Sequence, residues 1–369
     1  MNPVRQALAV AVAVRVPVLV WGGPGLGKTS AIRELAEASS MPYEIVIASI
    51  REPSDFAGLP IVGAGGTSVH LAPPRWAQRL AEAGSGLLFL DELSTAPPAV
   101  QAALLRVVLE RTVGDLALPD LVAVVAAANA PEDAADGWDL APPLANRFCH
   151  LDWTLTASEW ADGMLGGFAV APVPDVDQRR LDAAEMGVRG TIAAFVRSRP
   201  HLLHAPPKDE ASAGRAWPSP RSWATGARLV AAAEVAACGE SVVALLLAGS
   251  VGAAAAAELL AWRSDLDLPD PESALADPTS FVVPERGDRA YAALASITSA
   301  VVSVPGGDRW RAAWEVMAAA ASQGQADIAV AAVRTLLRHR PEGVAPPPES
   351  VAALAPVLRE AGLFDRLQP

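Results

Sequence analysis

Gly22-Gly23-Pro24-Gly25-Leu26-Gly27-Lys28-Thr29 fits the pattern G-x-x-x-x-G-K-[ST], and this stretch is the most informative one about the fold. It follows the apolar run Val16–Trp21, a predicted strand, and it opens the helical pattern Lys28–Ser39. Glycines let a backbone wrap closely around phosphates, and the positive end of a helix attracts the same anion. We expect the residues from Gly22 to Ser30 to bind nucleotide phosphates. Lys28 would reach the β- and γ-phosphates, and the Thr29 hydroxyl would hold Mg²⁺.

Further polar side chains follow two buried strands. Asp91 and Glu92 come directly after the apolar run Leu87–Leu90, and Asn129 follows the run Leu121–Ala128. The carboxyl ends of parallel strands form a ligand-binding edge, so these groups are expected beside the phosphate loop. Asp91 would hold Mg²⁺ through water, Glu92 would orient and polarise the attacking water, and Asn129 would touch the γ-phosphate. Asparagine is also an ordinary turn former, so a turn at the end of this strand would equally explain Asn129.

The order of the strand and helix patterns predicts the fold class. Apolar runs alternate with helical patterns over the first 155 residues, as in βαβ units whose parallel sheet is covered by helices on both faces. The predicted strands are Val16–Trp21, Tyr43–Ala48, Leu87–Leu90, Leu121–Ala128 and Cys149–Trp153, and the predicted helices include Lys28–Ser39, Pro74–Ala83 and Pro97–Glu110. We expect an α/β core with a five-stranded parallel sheet, followed by an all-α part.

Composition changes along the chain divide it further. The strand signal fades after Thr154, and the remaining residues are mostly Ala-rich and helical. The predicted division is a nucleotide-binding core at 1–155, a linker at 156–180, a helical lid at 181–264, a loop rich in Pro and Asp at 265–288 and a C-terminal helical extension at 289–369. The longest uncharged run, Ser241–Ala257, is too rich in Ala and Gly for a membrane span, so it predicts two buried helices.

Overall composition excludes several classes of protein. The 369 residues are 51% hydrophobic and 19% charged, which is incompatible with a disordered chain. A net charge of −12 disfavours a nucleic-acid partner, because such a surface repels phosphate backbones. Two cysteines cannot build a disulfide framework, and no targeting segment is recognised, so we expect a cytoplasmic protein. His201-x-x-His204 has metal-like spacing but no carboxylate or cysteine cluster joins it, which argues against zinc.

Two arginines stand in informative places. Arg147 follows Pro142-Pro143-Leu144 and precedes the predicted strand Cys149–Trp153, which places it at an edge of the core. Arg221 lies in Ser219-Pro220-Arg221, where Ser219 is a candidate N-cap and Pro220 a candidate first helical residue. A positive side chain is unfavourable at a helix N-terminus unless an anion lies opposite. An ordinary surface ion pair or an incidental arginine beside a cap would produce the same patterns.

These motifs resemble the AAA+ ATPases, and within them the MoxR group. The similarity covers residues 10–155 and a patch at 217–223. It rests on Val18-Leu19-Val20-Trp21 with the phosphate loop, on Leu88-Phe89-Leu90-Asp91-Glu92-Leu93-Ser94-Thr95-Ala96-Pro97-Pro98-Ala99-Val100-Gln101-Ala102-Ala103-Leu104-Leu105, on Ala127-Ala128-Asn129-Ala130-Pro131, and on Leu144-Ala145-Asn146-Arg147-Phe148. The stretch Ala96–Leu105 is typical of the MoxR group.

The resemblance implies roles for several residues. Asn129 would be sensor 1, Arg147 an arginine finger that acts on a neighbouring subunit, and Arg221 sensor 2. Arg51–His70 lies where the family carries its helix-2 insert. The family pattern further implies a ring, expected to be a homohexamer, that hydrolyses ATP with Mg²⁺ to remodel or mature a client protein. It also implies a partner with a von Willebrand factor A domain.

Other functions remain open on the sequence alone. One is a nucleic-acid motor or clamp-loader-like ATPase on the same fold, and another is a scaffold that binds ATP with little hydrolysis. The intact Lys28, Asp91 and Glu92 argue against the scaffold. An activator of the sigma-54 type is disfavoured, because the Gly-Ala-Phe-Thr-Gly-Ala loop of that group is missing. If Arg147 is not the finger, Arg106 and Arg111 are the next candidates.

Overall fold

The computed structural model describes residues 2–63, 65–129 and 138–364. The chain forms two compact units. The first unit consists of Met1–Val176 with Leu202–Ala257, and the second unit consists of Asp177–His201 with Glu258–Pro369. Ala130 and Pro131 of the family pattern lie outside the described residues.

The strands and helices follow in chain order. The strands are β1 Val18–Trp21, β2 Tyr43–Ile47, β3 Leu59–Val62, β4 Val69–Ala72, β5 Ser85–Asp91, β6 Thr112–Val113, β7 Leu116–Ala117, β8 Leu121–Ala128 and β9 Cys149–Asp152. The helices are α1 Pro3–Ala13, α2 Lys28–Ala38, α3 Ser54–Ala57, α4 Arg75–Ala83, α5 Pro98–Glu110, α6 Pro142–Ala145, α7 Ala157–Gly166, α8 Gln178–Ser198, α9 Glu210–Ala213, α10 Pro220–Val235, α11 Glu240–Val251, α12 Ala253–Ser264, α13 Pro271–Ala276, α14 Gly287–Ser303, α15 Gly307–Ala320, α16 Ala326–Arg338 and α17 Pro348–Glu360.

A five-stranded parallel sheet forms the centre of the first unit, as the sequence predicts. Its strand order is β2-β5-β8-β1-β9. In the register of the sheet, Val18 of β1 pairs with Val125 of β8 on one side and with Cys149 of β9 on the other. Because all five strands run in the same direction, their carboxyl ends lie along one edge, where Trp21, Asp91 and Ala128 end their strands.

The central strands are buried on both faces, as expected for a parallel sheet covered by helices. All four residues of β1 and seven of the eight in β8 are buried. Residues of α4, α5 and α6 pack against them in one hydrophobic core. This burial explains why the strands appear in the sequence as continuous apolar runs rather than as alternating patterns.

The segment expected to carry the helix-2 insert contains a β-hairpin. Strands β3 and β4 pair in antiparallel fashion, with Val62 opposite Val69. Leu59, Ile61 and Val62 are all exposed, so the hairpin shows apolar side chains to solvent.

Helices α10 and α11 belong to the first unit and pack on each other, on α1 and, through α11, on β9. Gly249 of α11 makes the close approach to β9 possible, because a Cβ at this position would lie 2.3 Å from the carbonyl oxygen of His150. The uncharged run Ser241–Ala257 forms two helices, α11 and α12, separated by Gly252 with a φ of +84°. Its interpretation as a helix pair is therefore confirmed.

The second unit has its own hydrophobic core, with the fully buried Trp310 and Trp314 at its centre. Helix α8 packs on α14, where Gly190 faces Ala295 so closely that a Cβ on the glycine would lie 2.2 Å from the alanine Cβ. This packing groups α8 with residues 258–369, whereas the sequence-based division places it in a lid at 181–264. The two divisions differ because the small residues of α8 pack against α14, which is about a hundred residues away in sequence.

The structure also contains helices where the sequence predicts a linker and a loop. Helix α7 lies in the predicted linker at 156–180 and begins with a capping box between Thr156 and Glu159. Helix α13 lies in the predicted loop at 265–288, and the side chain of Asp270 caps it. Both capping residues can be identified in the sequence, but the surrounding Gly and Pro residues favour the prediction of a linker and a loop.

One stretch of the described residues, Gly307–Arg338, has the length and apolar composition of a membrane span, which is weak evidence because buried core helices share both properties. Gly324 interrupts this stretch with a φ of +89°. The indole Nε1 of Trp310, near the start of α15, donates to the carbonyl oxygen of Leu336, near the end of α16, at 2.9 Å. The stretch therefore folds back on itself as a pair of helices.

Candidate active site

The phosphate loop connects β1 to α2 and depends on glycine at three positions. Gly25 and Gly27 have φ angles of +79° and +78°, which glycine adopts without strain. A Cβ on Gly22 would lie 2.7 Å from the carbonyl oxygen of Trp153, so this position has no room for a side chain. The loop can therefore turn tightly and present its backbone N–H groups at the N-terminus of α2.

Lys28 has its ammonium group inside the curve of the loop. Its Nζ donates to the carbonyl oxygens of Gly22 at 2.6 Å and Gly23 at 3.0 Å, and to Oδ1 of Asn129 at 2.9 Å. The residue is 8% exposed. A buried ammonium needs such acceptors, and phosphate oxygens are better ones, so the same group can transfer its hydrogen bonds to a bound anion.

The hydroxyl and carboxylates expected near Mg²⁺ meet at the edge of the sheet. Thr29 Oγ1 donates to Oδ2 of Asp91 at 2.8 Å. The backbone N–H of Glu92 donates to Oδ1 of Asp91 at 2.9 Å, and Glu92 itself has a left-handed φ of +57°. This strained backbone directs Glu92 away from the line of the strand, and its Oε2 accepts a short hydrogen bond from the Ser49 hydroxyl.

These groups line one cavity of about 410 Å³. The lining residues are Pro24, Gly25, Leu26, Gly27, Lys28, Thr29, Ser30, Asp91, Glu92, Ala127, Ala128 and Asn129. Gly22 and Gly23 contribute through their carbonyl contacts with Lys28. The structure thus brings together the predicted phosphate-loop, strand-end and Asn129 residues.

Arg147 and Arg221 are not among the residues that line this cavity. Burial lowers the pKa of Arg147, and the positive charge of the neighbouring Arg221 lowers it further. The Nη1 of Arg147 donates to the carbonyl oxygen of Pro143 in a short hydrogen bond. Ser219 is the N-cap of α10 and Pro220 its first residue, so Arg221 lies in the first helical turn as the sequence predicts.

The two alternative finger candidates have partners within the chain. Arg106 pairs with Glu110 at 3.0 Å across one turn of α5. The Nη2 of Arg111 donates to the carbonyl oxygens of Pro119, at 2.9 Å, and Val122. Arg106 therefore forms an ordinary surface ion pair. Arg111 holds the backbone at Pro119 and Val122.

Two tryptophans lie next to the phosphate loop. The indole Nε1 of Trp153 donates to the carbonyl oxygen of Leu26 at 3.1 Å. Trp21, which precedes the loop, donates from Nε1 to Nδ1 of His150 at 2.9 Å, and Nε2 of His150 lies 2.9 Å from the carbonyl oxygen of Ala145. Nδ1 must accept, so the imidazole is neutral and Nε2 donates; burial lowers the pKa of His150 to about 4.

Sequence reasoning missed several residues around the site, among them Trp153. Ser49 holds the carboxylate of Glu92, and the Ser94 hydroxyl accepts from the backbone N–H of Asn129 at 3.1 Å. Ser49 follows a strand as Asp91 does, and this shared position is the signal that could have revealed it, once β2 is known to be the neighbour of β5.

The histidine pair with metal-like spacing has a different environment from that of a metal site. The ring of His204 packs edge-on against Trp217, with centroids 5.7 Å apart. Among the described residues, no group of three or more His, Cys, Asp or Glu side chains has the arrangement of a metal site. The pair therefore has the environment of packed and surface side chains.

Comparison with known proteins adds three findings. A family model described as the Sigma-54 interaction domain matches residues 1–133. No curated protein matches the chain. Among solved structures, a putative ATPase from Cytophaga hutchinsonii ATCC 33406 is similar, with 17% identity and a TM-score of 0.41 over 67% of this chain and 79% of that chain.

The family match spans β1, the phosphate loop, the Asp91-Glu92 strand end and Asn129, which are the same elements that form the cavity. The five-stranded parallel sheet with flanking helices agrees with it. Residues 1–133 are thus similar to an AAA+ ATPase domain, and the fold is the α/β P-loop core of that class followed by a helical C-terminal part.

Proposed function

We propose that this chain hydrolyses ATP in a ring of identical subunits and uses the resulting conformational change to remodel or mature a client protein, as the MoxR resemblance implies. The observation that carries the proposal is the convergence of Lys28, Thr29, Asp91, Glu92 and Asn129 in one cavity. They supply a phosphate cradle, oxygen ligands for a cation and a carboxylate to position water.

Phosphate binding follows from groups already in place. The N–H groups of the loop and the N-terminus of α2 face the cavity, where they favour an anion. Lys28 exchanges the carbonyl oxygens of Gly22 and Gly23 for phosphate oxygens. Asn129 then keeps the ammonium oriented through its Oδ1, while its amide N–H groups are available to a phosphate or a water.

The donor set fits Mg²⁺. The Thr29 hydroxyl and the Asp91 carboxylate lie 2.8 Å apart, and both offer the hard oxygen ligands that this cation prefers. When bound, Mg²⁺ neutralises charge on the transferring phosphoryl group. Thr29 and Asp91 would hold it, Asp91 through water, and the hydrogen bond from the backbone of Glu92 fixes the Asp91 carboxylate.

Glu92 is the group that orients and polarises the attacking water. It is exposed in the cavity, and its carboxylate is restrained by Ser49 rather than by a cation. The hydrogen bond from Ser49 restrains the orientation of the Glu92 carboxylate. Ser49 thus influences where Glu92 can hold a water.

A second cavity is the proposed binding site for the nucleobase. It has a volume of about 200 Å³ and lies beside Trp153, whose indole N–H holds the carbonyl of Leu26 in the phosphate loop. Its wall combines the apolar Val4 and Phe168 with the hydrogen-bonded pair of Asn2 and Glu159, at 2.7 Å. Apolar walls with a few polar groups suit a flat heterocycle.

The position of Arg147 supports action on another subunit. Neither it nor Arg221 lines the cavity of its own chain, and each carries a positive charge that can stabilise a transferring phosphoryl group. The further proposals rest on the resemblance: a homohexameric ring, a client, a partner with a von Willebrand factor A domain, and a cytoplasmic location. A phosphate-release assay separates this function from that of a scaffold with little hydrolysis.

The test mixes two inactive variants, Lys28→Ala and Arg147→Ala. Lys28→Ala chains cannot bind nucleotide but still offer Arg147, whereas Arg147→Ala chains bind it but lack the finger. We expect Lys28→Ala alone to show no turnover and Arg147→Ala alone to lose about 10³–10⁵-fold in rate. The mixture should regain activity where an intact loop faces an intact finger.

Arg106→Ala is the matched control, because it removes an exposed arginine that pairs with Glu110 on α5. It should keep normal turnover. Joint rings of the two inactive variants that stay inactive would overturn the assignment of Arg147 to the neighbouring site. If Arg106→Ala is instead inactive alone and regains activity with Lys28→Ala, the finger is Arg106.

A further inference from the structure

Asn146, the residue before Arg147, forms a buried hydrogen-bond network with the start of α10. Its Nδ2 donates to the carbonyl oxygen of Trp217 at 3.1 Å, and its Oδ1 accepts from the Ser219 hydroxyl at 2.7 Å. Asn146 is 8% exposed and Ser219 5% exposed. The side-chain amide of Asn146 thus joins the segment before Arg147 to the start of α10, donating one hydrogen bond and accepting another.

The network is closed on the side of α10. The Ser219 hydroxyl, while donating to Asn146, accepts from the backbone N–H of Ser222 at 3.1 Å as the N-cap. The Ser222 hydroxyl in turn donates to the carbonyl oxygen of Trp217 at 2.9 Å. Every group in this network therefore has a partner, which fixes the geometry between Asn146 and the first turn of α10.

This network holds two like charges close together. Arg147 follows Asn146 directly, and Arg221 is two residues after Ser219. No carboxylate among the described residues lies within ion-pair distance of either guanidinium, and Nε of Arg147 is buried without a hydrogen-bond partner there. Two adjacent cations repel each other, and an anion between them would relieve this repulsion.

We propose that Asn146 is a positioning residue: it fastens Arg147 to the N-terminus of α10, so that Arg147 and Arg221 are presented together to one nucleotide held by another copy of this chain. This inference rests on the proposed function. It identifies Asn146 as the residue that fixes the relative positions of Arg147 and Arg221. Asn146 acts through Arg147 and touches no nucleotide itself.

The chemistry of the side chain explains why an amide is needed. Aspartate would retain the acceptor for Ser219 but would place a second oxygen against the carbonyl of Trp217. Alanine would remove both contacts and leave the segment before Arg147 free to shift relative to α10. A misplacement of about 1 Å in a group that stabilises a transition state costs about 10²-fold in rate.

The experiment compares Asn146→Ala with wild type in steady-state ATP hydrolysis and in calorimetry with ATP and Mg²⁺. We expect kcat to fall about 10- to 100-fold, while the KM and the affinity for ATP stay within about twofold. Asn146→Asp should also reduce kcat, because it keeps the contact with Ser219 but opposes two oxygens at Trp217. Thermal unfolding of both variants checks that any loss of kcat occurs in folded protein.

Two further measurements separate positioning from a general loss of structure. Mixing Asn146→Ala with Lys28→Ala chains should restore turnover, because the latter supply an intact arginine pair. In the double variant Asn146→Ala/Arg147→Ala, the loss should equal that of Arg147→Ala alone. Thr298→Val is the matched control: it removes a buried hydroxyl that donates to Leu294 at 2.8 Å in the second unit, and it should keep its turnover.

Wild-type kcat in Asn146→Ala would overturn this inference and leave the proposed function intact. Losses that multiply in the double variant, or a decrease in ATP affinity that matches the decrease in kcat, would overturn it as well. Failure of the Lys28→Ala and Arg147→Ala mixture, by contrast, counts against the proposed function, since that mixture contains Asn146 in every chain.

Discussion

In the phosphate cavity the side chains of Lys28, Thr29, Asp91, Glu92 and Asn129 already contact partners of their own chain. The two arginines beside Asn146, by contrast, contact no carboxylate among the described residues. Lys28 is held by two carbonyls and Asn129, and Thr29 is held by Asp91. Arg147 instead has another cation beside it. Under the proposed function, the cavity of one chain is therefore sufficient for binding, and the arginine pair acts on an anion held by another copy.

Under the proposed function, this difference separates binding from catalysis. Binding would depend on the backbone geometry of one chain. The transition-state charge would be stabilised by Arg147 and Arg221, which do not line the cavity of their own chain. Variants in the two regions should therefore fail in different ways.

The largest effect is expected for Lys28→Ala. The loop loses its only positive side chain, so ATP binding should fall below detection in calorimetry with Mg²⁺, and turnover should disappear with it. The chain has only one other lysine, the exposed Lys208, and Lys208→Ala is the matched control that should bind normally. Wild-type affinity in Lys28→Ala would refute the assignment of the phosphate loop.

Glu92→Gln should separate binding from hydrolysis within the cavity itself. Glutamine keeps the shape of the side chain but loses the charge that polarises water, so turnover should fall about 10²–10⁴-fold while ATP affinity is retained. Size-exclusion chromatography with ATP should show a larger assembly that persists. Unchanged turnover would mean that another residue positions the water.

The smallest effect is expected for the protonation of His150. Its ring contacts Trp21, which precedes the phosphate loop, and the carbonyl oxygen of Ala145, which lies two residues before Arg147. Burial lowers its pKa from an ordinary 6.5 to about 4, so between these values the unfolded chain binds more protons than the folded one. The free energy of unfolding should therefore decrease as the pH falls from about 6.5 to about 4, by up to about 3 kcal/mol.

Urea unfolding at a series of pH values measures this dependence. His150→Gln has no imidazole to protonate, and its free energy of unfolding should vary less over the same range. Equal pH dependence in both proteins would show that His150 is not buried in its neutral form.

Much of the site is predictable because its determinants are contiguous. The phosphate loop is a run of glycines between one strand and one helix. Asp91 ends β5, and Glu92 and Asn129 directly follow β5 and β8. Carboxyl ends of parallel strands share an edge whatever the strand order, so the motif residues are expected together even when the order of the strands is open.

The contacts that orient these residues are not predictable in the same way. The bond from Ser49 to Glu92 spans 43 residues, and the bond from Ser219 to Asn146 spans 73. Either serine has the sequence context of an ordinary turn or cap residue. Only the adjacency of β2 and β5, and the packing of α10 in the first unit, give them these partners.

The α/β core, the position of its phosphate loop and the cap of α10 follow from the amino-acid sequence alone, because each depends on residues within one turn or one strand of each other. Three arrangements arise only in the folded chain: α8 packs with α14, 307–338 folds back on itself, and Arg147 lies beside Arg221 rather than in the cavity. These arrangements depend on close approach between surfaces distant in sequence. Hydrophobic periodicity shows which face of a helix is buried, but it does not specify the partner of that face.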